Sequence, residues 1–486
     1  MPANGGGSID SELSKLRLSS YLIVSERLKY GGYAMLSGLS GTVDIASDAL
    51  YQAFHAIMES EPRHSCYIDA SRLPPEITES FLRRGLLTEL SPAEEREFAS
   101  AISQVTHEYA AKQASVVIVP DLDCNYRCVY CFEKSLQSGL KGRKTYMDKT
   151  DVDSVFRCIN QIEAETGPIA QTISLFGGEP LLAENHDIVK YIVETGSARG
   201  YDFSTATNGH DLDSFIDILG SGGISSVQIT IDGPQEIHDR RRVTLDGSSS
   251  FQHITDNIGL VLDNTDTSIV LRINIDADNY PHLTDLIHFF DQKGWLENDN
   301  IMVNVAFVDI KGPDGIVGPL LDINAVRPQL AAMIEQHPHI HIGSQQANLT
   351  NSAFSSLLYS QAFSPRSCYC PASSGSYVFL PDGTISCCWE SLGEECGYIG
   401  SFTEAGLQLD QEKATRHFGR SVDKIEACLD CQYCLVCAGG CSQMAETNLG
   451  DLYQPHCGDF KETYAWVLAD AVDKFIDAQR PQQACE

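Results

Sequence analysis

The sequence is short of basic residues, of long apolar runs and of any export signature. It carries 34 lysines and arginines against 66 aspartates and glutamates, a formal charge of −32 over 486 residues. A surface of that sign repels nucleic-acid phosphates and anionic lipid, so neither is an expected partner. No stretch of 18 or more apolar residues occurs, which argues against a membrane span. The opening MPANGGGSIDSELSK has no apolar segment behind a basic start. No secretory signal is visible, and a cytoplasmic protein is expected.

Cysteine, by contrast, is abundant. There are 17, and 11 of them lie between Cys368 and Cys457. In a large chain without an export signal this density points to metal binding or catalysis rather than to disulfides.

Residues 1–16 read as a flexible tail and 17–110 as a small mixed domain. Strands are expected in SSYLIVSE, in GGYAMLSG and after the turn-rich SGLSG. A helix is expected over 47–59, opened by the capping Ser47, and a second one ending at Gly85. From 115 to about 310, strand and helix alternate. The strand candidates are SVVIVP, TISLF, DFSTAT, SVQITI, SIVLRINI and IMVNVAFV. Helix candidates lie near 151–165, 185–198, 211–219, 251–264 and 281–293. Such units imply a parallel sheet with right-handed crossovers, either doubly wound or a partial barrel. Both arrangements place chemistry at the carboxyl ends of the strands. Residues 311–365 form a connector with helix candidates near 324–336 and 352–362. The cysteine-rich stretch 366–458 has few apolar runs, so metal is expected to replace part of a core. A closing helix is expected at about 460–478, which completes a unit spanning 366–486.

Directly after the first of the six strands comes DLDCNYRCVYCFEK. Cys124, Cys128 and Cys131 form C-x3-C-x2-C. Three thiolates on one loop suit three irons of a [4Fe–4S] cluster, leaving the fourth iron open; a zinc site is the other reading, although structural zinc normally takes four ligands. With the aromatic Tyr130 before the last cysteine, the segment resembles the signature of the radical S-adenosylmethionine (AdoMet) superfamily. That resemblance implies an α/β fold built on a partial (β/α)6 TIM-type barrel. It also implies that AdoMet chelates the open iron and is cleaved reductively to a 5′-deoxyadenosyl radical, which takes a hydrogen atom from the substrate. The expected AdoMet contacts are Tyr130, Gly177, Gly178 and Glu179 in FGGEP, Asn208 in ATNG, Thr230 in TIDGP beside Asp232, and Arg242, which closes EIHDRRR. Taken alone, GGEP is a plain turn and Arg242 a helix-start ion pair. Arg272 and Asn274 in RINID are expected to line the barrel.

Near the end, C-x12-G-x4-C (Cys370, Gly383, Cys388) is followed by C-x2-C-x5-C-x3-C (Cys428, Cys431, Cys437, Cys441) and by Cys457. This order resembles the SPASM extension of radical AdoMet enzymes that act on peptides. The resemblance implies three [4Fe–4S] clusters in all. Cys370, Cys388 and Cys441 would serve one auxiliary cluster, with Cys368, Cys387 or Cys396 as the fourth ligand or an iron left open. Cys428, Cys431, Cys437 and Cys457 would serve the other. Cys434 is an additional thiol that leaves a different partition open, and two zinc ribbons are the alternative for the whole stretch. Cys66 and Cys158 read as buried small hydrophobes, and Cys485 as a tail thiol.

The 17–110 segment resembles the winged-helix-like domains that read leader peptides by strand addition; a generic winged helix or dimerisation module fits equally. The expected activity is maturation of a ribosomally made precursor peptide by a thioether or carbon–carbon cross-link. Formylglycine formation of the sulfatase-maturating kind is the alternative, and a non-catalytic zinc scaffold the alternative of another class. The expected partners are a leader-bearing peptide or a protein substrate, and an electron donor such as flavodoxin or ferredoxin.

Overall fold

A computed structural model describes residues 16–60, 66–68, 73–133, 136, 144–308, 321–337, 340–342, 363–458 and 460–480. The expected tail, save Leu16, lies outside these residues, as do the 352–362 helix candidate and Cys485.

The amino-terminal segment contains β1 (Arg17–Leu18), β2 (Leu22–Arg27), β3 (Tyr33–Ser37), β4 (Val43–Ala46) and β5 (Leu87–Thr88). β2, β3 and β4 make an antiparallel sheet in that order. Leu22, Met35 and Ala46 pack in a cluster with Phe54 of helix Asp48–Ser60 and Phe81 of helix Pro75–Arg83. Ile23, Ala34 and Leu36 join Phe460, Tyr464 and Leu468 of the closing helix Phe460–Gln479. The segment therefore shares a core with the far end of the chain. Helix Pro92–Ala110 was not expected. It opens with a complete capping box, Ser91 with Glu94, and a proline in its first turn.

All six barrel strands are present: β6 (Ser115–Ile118), β7 (Thr172–Leu175), β8 (Asp202–Thr207), β9 (Ile224–Thr230), β10 (Ser268–Ile275) and β11 (Ile301–Phe307). Helices Lys149–Thr166, His186–Ser197, Phe251–Asn264 and Leu283–Gln292 lie between them. The 211–219 candidate forms a 3₁₀ segment, Leu212–Ile218, cut short by Gly220 at φ +108° and Gly222 at φ +84°. After helix Ile323–Gln336, β12 (Ile340–Ile342) adds a seventh parallel strand beside β11.

From β12 down to β6 the sheet order follows the chain order without reversal, and neighbouring strands are parallel. A doubly wound sheet reverses direction at a switch point; this one winds one way, as a barrel does. On the other side of β6 the same sheet continues through β13 (Ser376–Phe379), β14 (Thr384–Ser386), β15 (Tyr398–Thr403) and β16 (Gly406–Leu409). β13 pairs parallel to β6, with Ser376 opposite Ser115, and the remaining pairs are antiparallel. Ile, Val, Leu and Phe side chains of the strands and helices fill one large core under the carboxyl ends.

Candidate active site

The loop that follows β6 carries the first three cysteines. Its backbone is pinned on two sides. Arg127 N donates to Val243 O at 2.7 Å, Val129 N to Arg241 O at 2.9 Å and Leu245 N to Asn125 O at 3.0 Å, so the loop runs as a ribbon beside residues 241–245. On the other side Gly178 N donates to Asp121 O at 3.2 Å and Glu179 N to Asp123 O at 2.8 Å. A Cβ at Gly178 would lie 2.2 Å from Asp123 O, and one at Gly177 would lie 2.4 Å from Asp121 O. The two glycines are required because the cysteine loop rests directly on them.

Cys128 couples electrostatically to both Cys124 and Cys131. Burial pushes Cys131 up to about 12, with Glu133 and then Cys128 adding to it. Cys124 is raised by burial, then by Glu179 and Cys128. Cys128 is raised by burial and opposed by the Arg242 guanidinium. Without a cation these thiols hold their protons; a bound metal would displace them.

Glu179 is 2% exposed, and burial pushes it up to about 7. Its carboxylate accepts from Leu181 N at 2.9 Å, Thr207 Oγ1 at 2.7 Å and Asn208 N at 2.6 Å. It thus braces the end of β7 against the end of β8. Asn208 in turn donates to Asn125 Oδ1 at 2.7 Å, on the cysteine loop.

A second brace forms around Tyr130. Its hydroxyl donates to Asp232 Oδ2 and accepts from Arg242 Nη1 at 2.9 Å and Asn274 Nδ2 at 3.3 Å. Asp232 also accepts from Asn274 N at 3.0 Å. Arg241 pairs with Asp276 at 2.7 Å and lies over the Tyr130 ring at 5.1 Å. Arg242 lies over Tyr126 at 5.8 Å, and its charge is supported by Cys128; among the described residues its Nε has no hydrogen-bond partner. Thr230 is buried at the end of β9 opposite Arg272. Arg272 donates to Asn274 Oδ1 at 2.9 Å and Asn304 Oδ1 at 3.3 Å, forming a polar ladder across β10 and β11. Every expected barrel residue is therefore gathered at one end of the sheet. Sequence reading missed Arg241, Asn125 and Asn304, whose partners lie far away in the chain.

The later cysteines fall into two neighbourhoods. Cys388 is raised by burial and then by Cys370, Cys387 and, further down the order, Cys441. Cys370 is pushed to about 12 by burial, Cys441 and more weakly Cys368. Of the three candidate fourth ligands, Cys368 and Cys387 adjoin Cys370, whereas Cys396 adjoins Cys387 and lies 3.7 Å from Glu394. Cys428, Cys431, Cys437 and Cys457 line one cavity of about 110 Å³, together with Cys434, Tyr433 and Phe460. Cys434 also faces Tyr21, whose hydroxyl donates to Leu429 O at 2.6 Å. Among the described residues no three His, Cys, Asp or Glu groups converge on a point fit for a single metal ion; a cubane takes one thiolate per iron. Cys66 and Cys158 are buried in apolar clusters.

An aromatic column links the first loop to the later cysteines. Phe132 stacks on Phe176 at 6.4 Å, and Phe176 stacks on Trp389 at 5.6 Å. These residues adjoin Cys131, Gly177 and Cys388 in the chain.

Residues 119–289 match the family model described as the radical SAM superfamily. Residues 119–289 of this chain form a radical SAM domain. The chain is 23% identical over 404 residues to the radical SAM cyclopropyl synthase TigE of Paramaledivibacter caminithermalis, covering 79% of this chain and 80% of that one. It is 24% identical over 389 residues to a cysteine-type anaerobic sulfatase-maturating enzyme of Clostridium novyi, covering 73% and 95%. The fold is similar to that of anSMEcpe with bound AdoMet, at a TM-score of 0.56 and 16% identity, covering 75% of this chain and 98% of that one. The radical SAM chain is thus a maturase-type relative, and its family implies AdoMet and a [4Fe–4S] cluster. Among the described residues no helix is long and apolar enough to cross a membrane.

Proposed function

We propose that this radical SAM chain matures a ribosomally made, leader-bearing peptide by forming a thioether or carbon–carbon cross-link. The observation that carries the reading is the set Cys124, Cys128 and Cys131 at the mouth of a one-way barrel, faced by the buried Arg242 with one donor to spare. That donor set fits a [4Fe–4S] cluster with one open iron. Tyr130, Gly177, Gly178, Glu179, Asn208, Thr230 and Arg242 surround the place AdoMet would take. AdoMet on a reduced cluster supplies the hydrogen-abstracting radical. The chain's own residues hold the loop, exclude water and orient the substrate over the barrel. Glu179 and Tyr130 do so as braces between strand ends, and Arg242 as a fixed positive charge.

Cys370, Cys388 and Cys441, and separately Cys428, Cys431, Cys437 and Cys457, are proposed to hold two auxiliary clusters in a SPASM-type unit, three clusters in all. Leader binding is assigned to the β2–β3–β4 sheet, whose outer strands have one neighbour each among the described residues. β4 is one of these outer strands, and strand addition needs such an edge. Formylglycine formation is the second reading, supported by the match across 95% of the sulfatase-maturating relative.

The test uses oxygen-free chain with dithionite, AdoMet and a precursor peptide made with and without its leader. The expected result is about 12 irons per chain, 5′-deoxyadenosine, and a two-hydrogen mass loss in the leader-bearing peptide alone. Equal turnover of both peptides sinks the leader assignment. Iron-loaded chain that makes no 5′-deoxyadenosine sinks the whole reading, and zinc in place of iron supports a scaffold.

A further inference from the structure

Arg420 is 0% exposed and belongs to neither cysteine motif. Its guanidinium donates to Leu452 O at 2.6 Å, Gly440 O at 3.1 Å, Gly439 O at 3.0 Å and Gln454 O at 3.2 Å. All four partners are backbone carbonyls and none is a carboxylate. A buried guanidinium that finds only neutral acceptors carries a large desolvation cost unless an anion lies near. With iron bound, the cysteines nearby would be thiolates and would supply such anions. Burial pulls the Arg420 guanidinium below its usual range, and Cys428 of one set, then Cys441 and Cys370 of the other, with Cys368, oppose that pull.

The carbonyls it collects explain its position. Ala438, Gly439 and Gly440 run left-handed in succession, at φ 55°, 80° and 70°, a shape that costs energy for a residue with a Cβ. Ala438 is the lone non-glycine with positive φ among the described residues. This turn separates Cys437, which lines the cavity of one set, from Cys441, which belongs to the other. Leu452 and Gln454 lie on the strand of chain that leads to Cys457. The turn is also packed to contact: a Cβ at Gly440 would lie 1.8 Å from His456 O, and His456 N donates to Gly439 O at 3.1 Å. Next to Arg420, Val422 N donates to Ser367 O at 2.7 Å, which ties in the segment bearing Cys368 and Cys370.

We propose that Arg420 is the shared counter-charge and positioning residue of the two auxiliary cysteine sets, holding the 438–440 turn that sends Cys437 to one and Cys441 to the other. The inference rests on the auxiliary-cluster reading above. A fixed positive charge between two clusters stabilises their reduced, more negative forms and so raises both midpoint potentials.

The experiment is a redox titration of the full-length, iron-loaded chain followed by electron paramagnetic resonance, on wild type, Arg420→Gln and Arg420→Lys. The cluster at Cys124, Cys128 and Cys131 is the internal reference, since Arg420 contacts none of that loop's residues in the described structure. In Arg420→Gln both auxiliary couples should become at least tenfold harder to reduce, about 59 mV for one electron, with the reference unmoved. Arg420→Lys keeps the charge and should hold both potentials near wild type. Unchanged auxiliary potentials in a loaded Arg420→Gln overturn the inference. If that variant takes up no auxiliary iron, the lysine variant decides. Retained auxiliary iron at wild-type potentials supports the inference, and lost iron or a tenfold shift overturns it. A wild-type chain with the reference cluster alone refutes the auxiliary clusters instead.

Discussion

The Tyr130 hydroxyl donates to the Asp232 carboxylate, tying the cysteine loop to the end of β9. Three more donors converge on the pair, from Arg242 and from the side chain and backbone of Asn274. Tyr130→Phe removes one oxygen and leaves Asp232 and Arg242 each a partner short in a buried place. A loss of about 1–3 kcal/mol in unfolding free energy is expected, measured by urea titration of the metal-free chain.

Gly178→Ala should cost about 1–3 kcal/mol or more, because the methyl meets the carbonyls of Leu122 and Asp123 rather than movable side-chain atoms. Displacing that backbone displaces Cys124 next to it, so iron at the first site should fall as well. Gly259→Ala is the matched contrast. Gly259 sits inside helix Phe251–Asn264 with open space around it, and the change should stabilise by about 0.5–1 kcal/mol. Thermal melting and iron assay of both variants check the pair.

The proposed partition of the later thiols separates Cys434 from Cys437. Cys437→Ala should remove about four irons and abolish product while some AdoMet cleavage persists. Cys434→Ala should keep its iron and its activity. The reverse outcome would assign Cys434 as the ligand.

His238 is fully buried, and burial, helped by Arg242, pulls it down to about 3. Its Nδ1 accepts from Asp232 N at 3.4 Å, so the neutral ring is the one the fold uses. In the unfolded chain histidine binds a proton near pH 6.5. Between pH 6.5 and 3 the unfolded state therefore holds more protons, and this residue's share of stability falls as pH falls, by at most about 1.4 kcal/mol per unit. His238→Gln keeps an acceptor and lacks the titration. The stability gap between wild type and variant should shrink from pH 7 toward pH 5 in urea titrations.

Arg17 and Glu95 form a wholly buried ion pair at 2.6 Å, with Glu95 also accepting from Ser19 Oγ and Ser20 N. Arg17→Met leaves the carboxylate unpaired and should cost about 3–5 kcal/mol. Arg17→Met with Glu95→Leu should recover part of that loss, measured by the same unfolding assay. Deleting residues 1–110 outright is a poor probe of leader binding, since it strips Ile23, Ala34 and Leu36 from the closing helix.

The barrel was readable because runs such as SIVLRINI and IMVNVAFV are apolar enough to name buried strands unaided. The first cysteine loop was readable because all three thiols fall in one eight-residue stretch, Cys124 to Cys131, shortly after a strand end. Three things were not. β12 has three residues, too few for a periodicity. Helix Pro92–Ala110 announces itself by SPAE, yet Phe98, Val105 and Tyr109 are exposed, which blurs the apolar stripe. Arg420 sits in the polar RHFGRSVDK, and nothing local tells that carbonyls 19 to 34 positions further along will enclose it.

The pairing of β13 with β6 makes a ruler of the sheet. One strand leads into the loop of Cys124 and the other, through a hairpin, into Cys388, so the interval between those two thiols is set by the register of Ser376 on Ser115. A slip by one residue would shift one strand about 3.3 Å along the other and turn its side chains to the opposite face. Insertions within 115–124 or 376–388 would therefore mis-space two sites at once, whereas the same change in a surface turn would leave the interval intact.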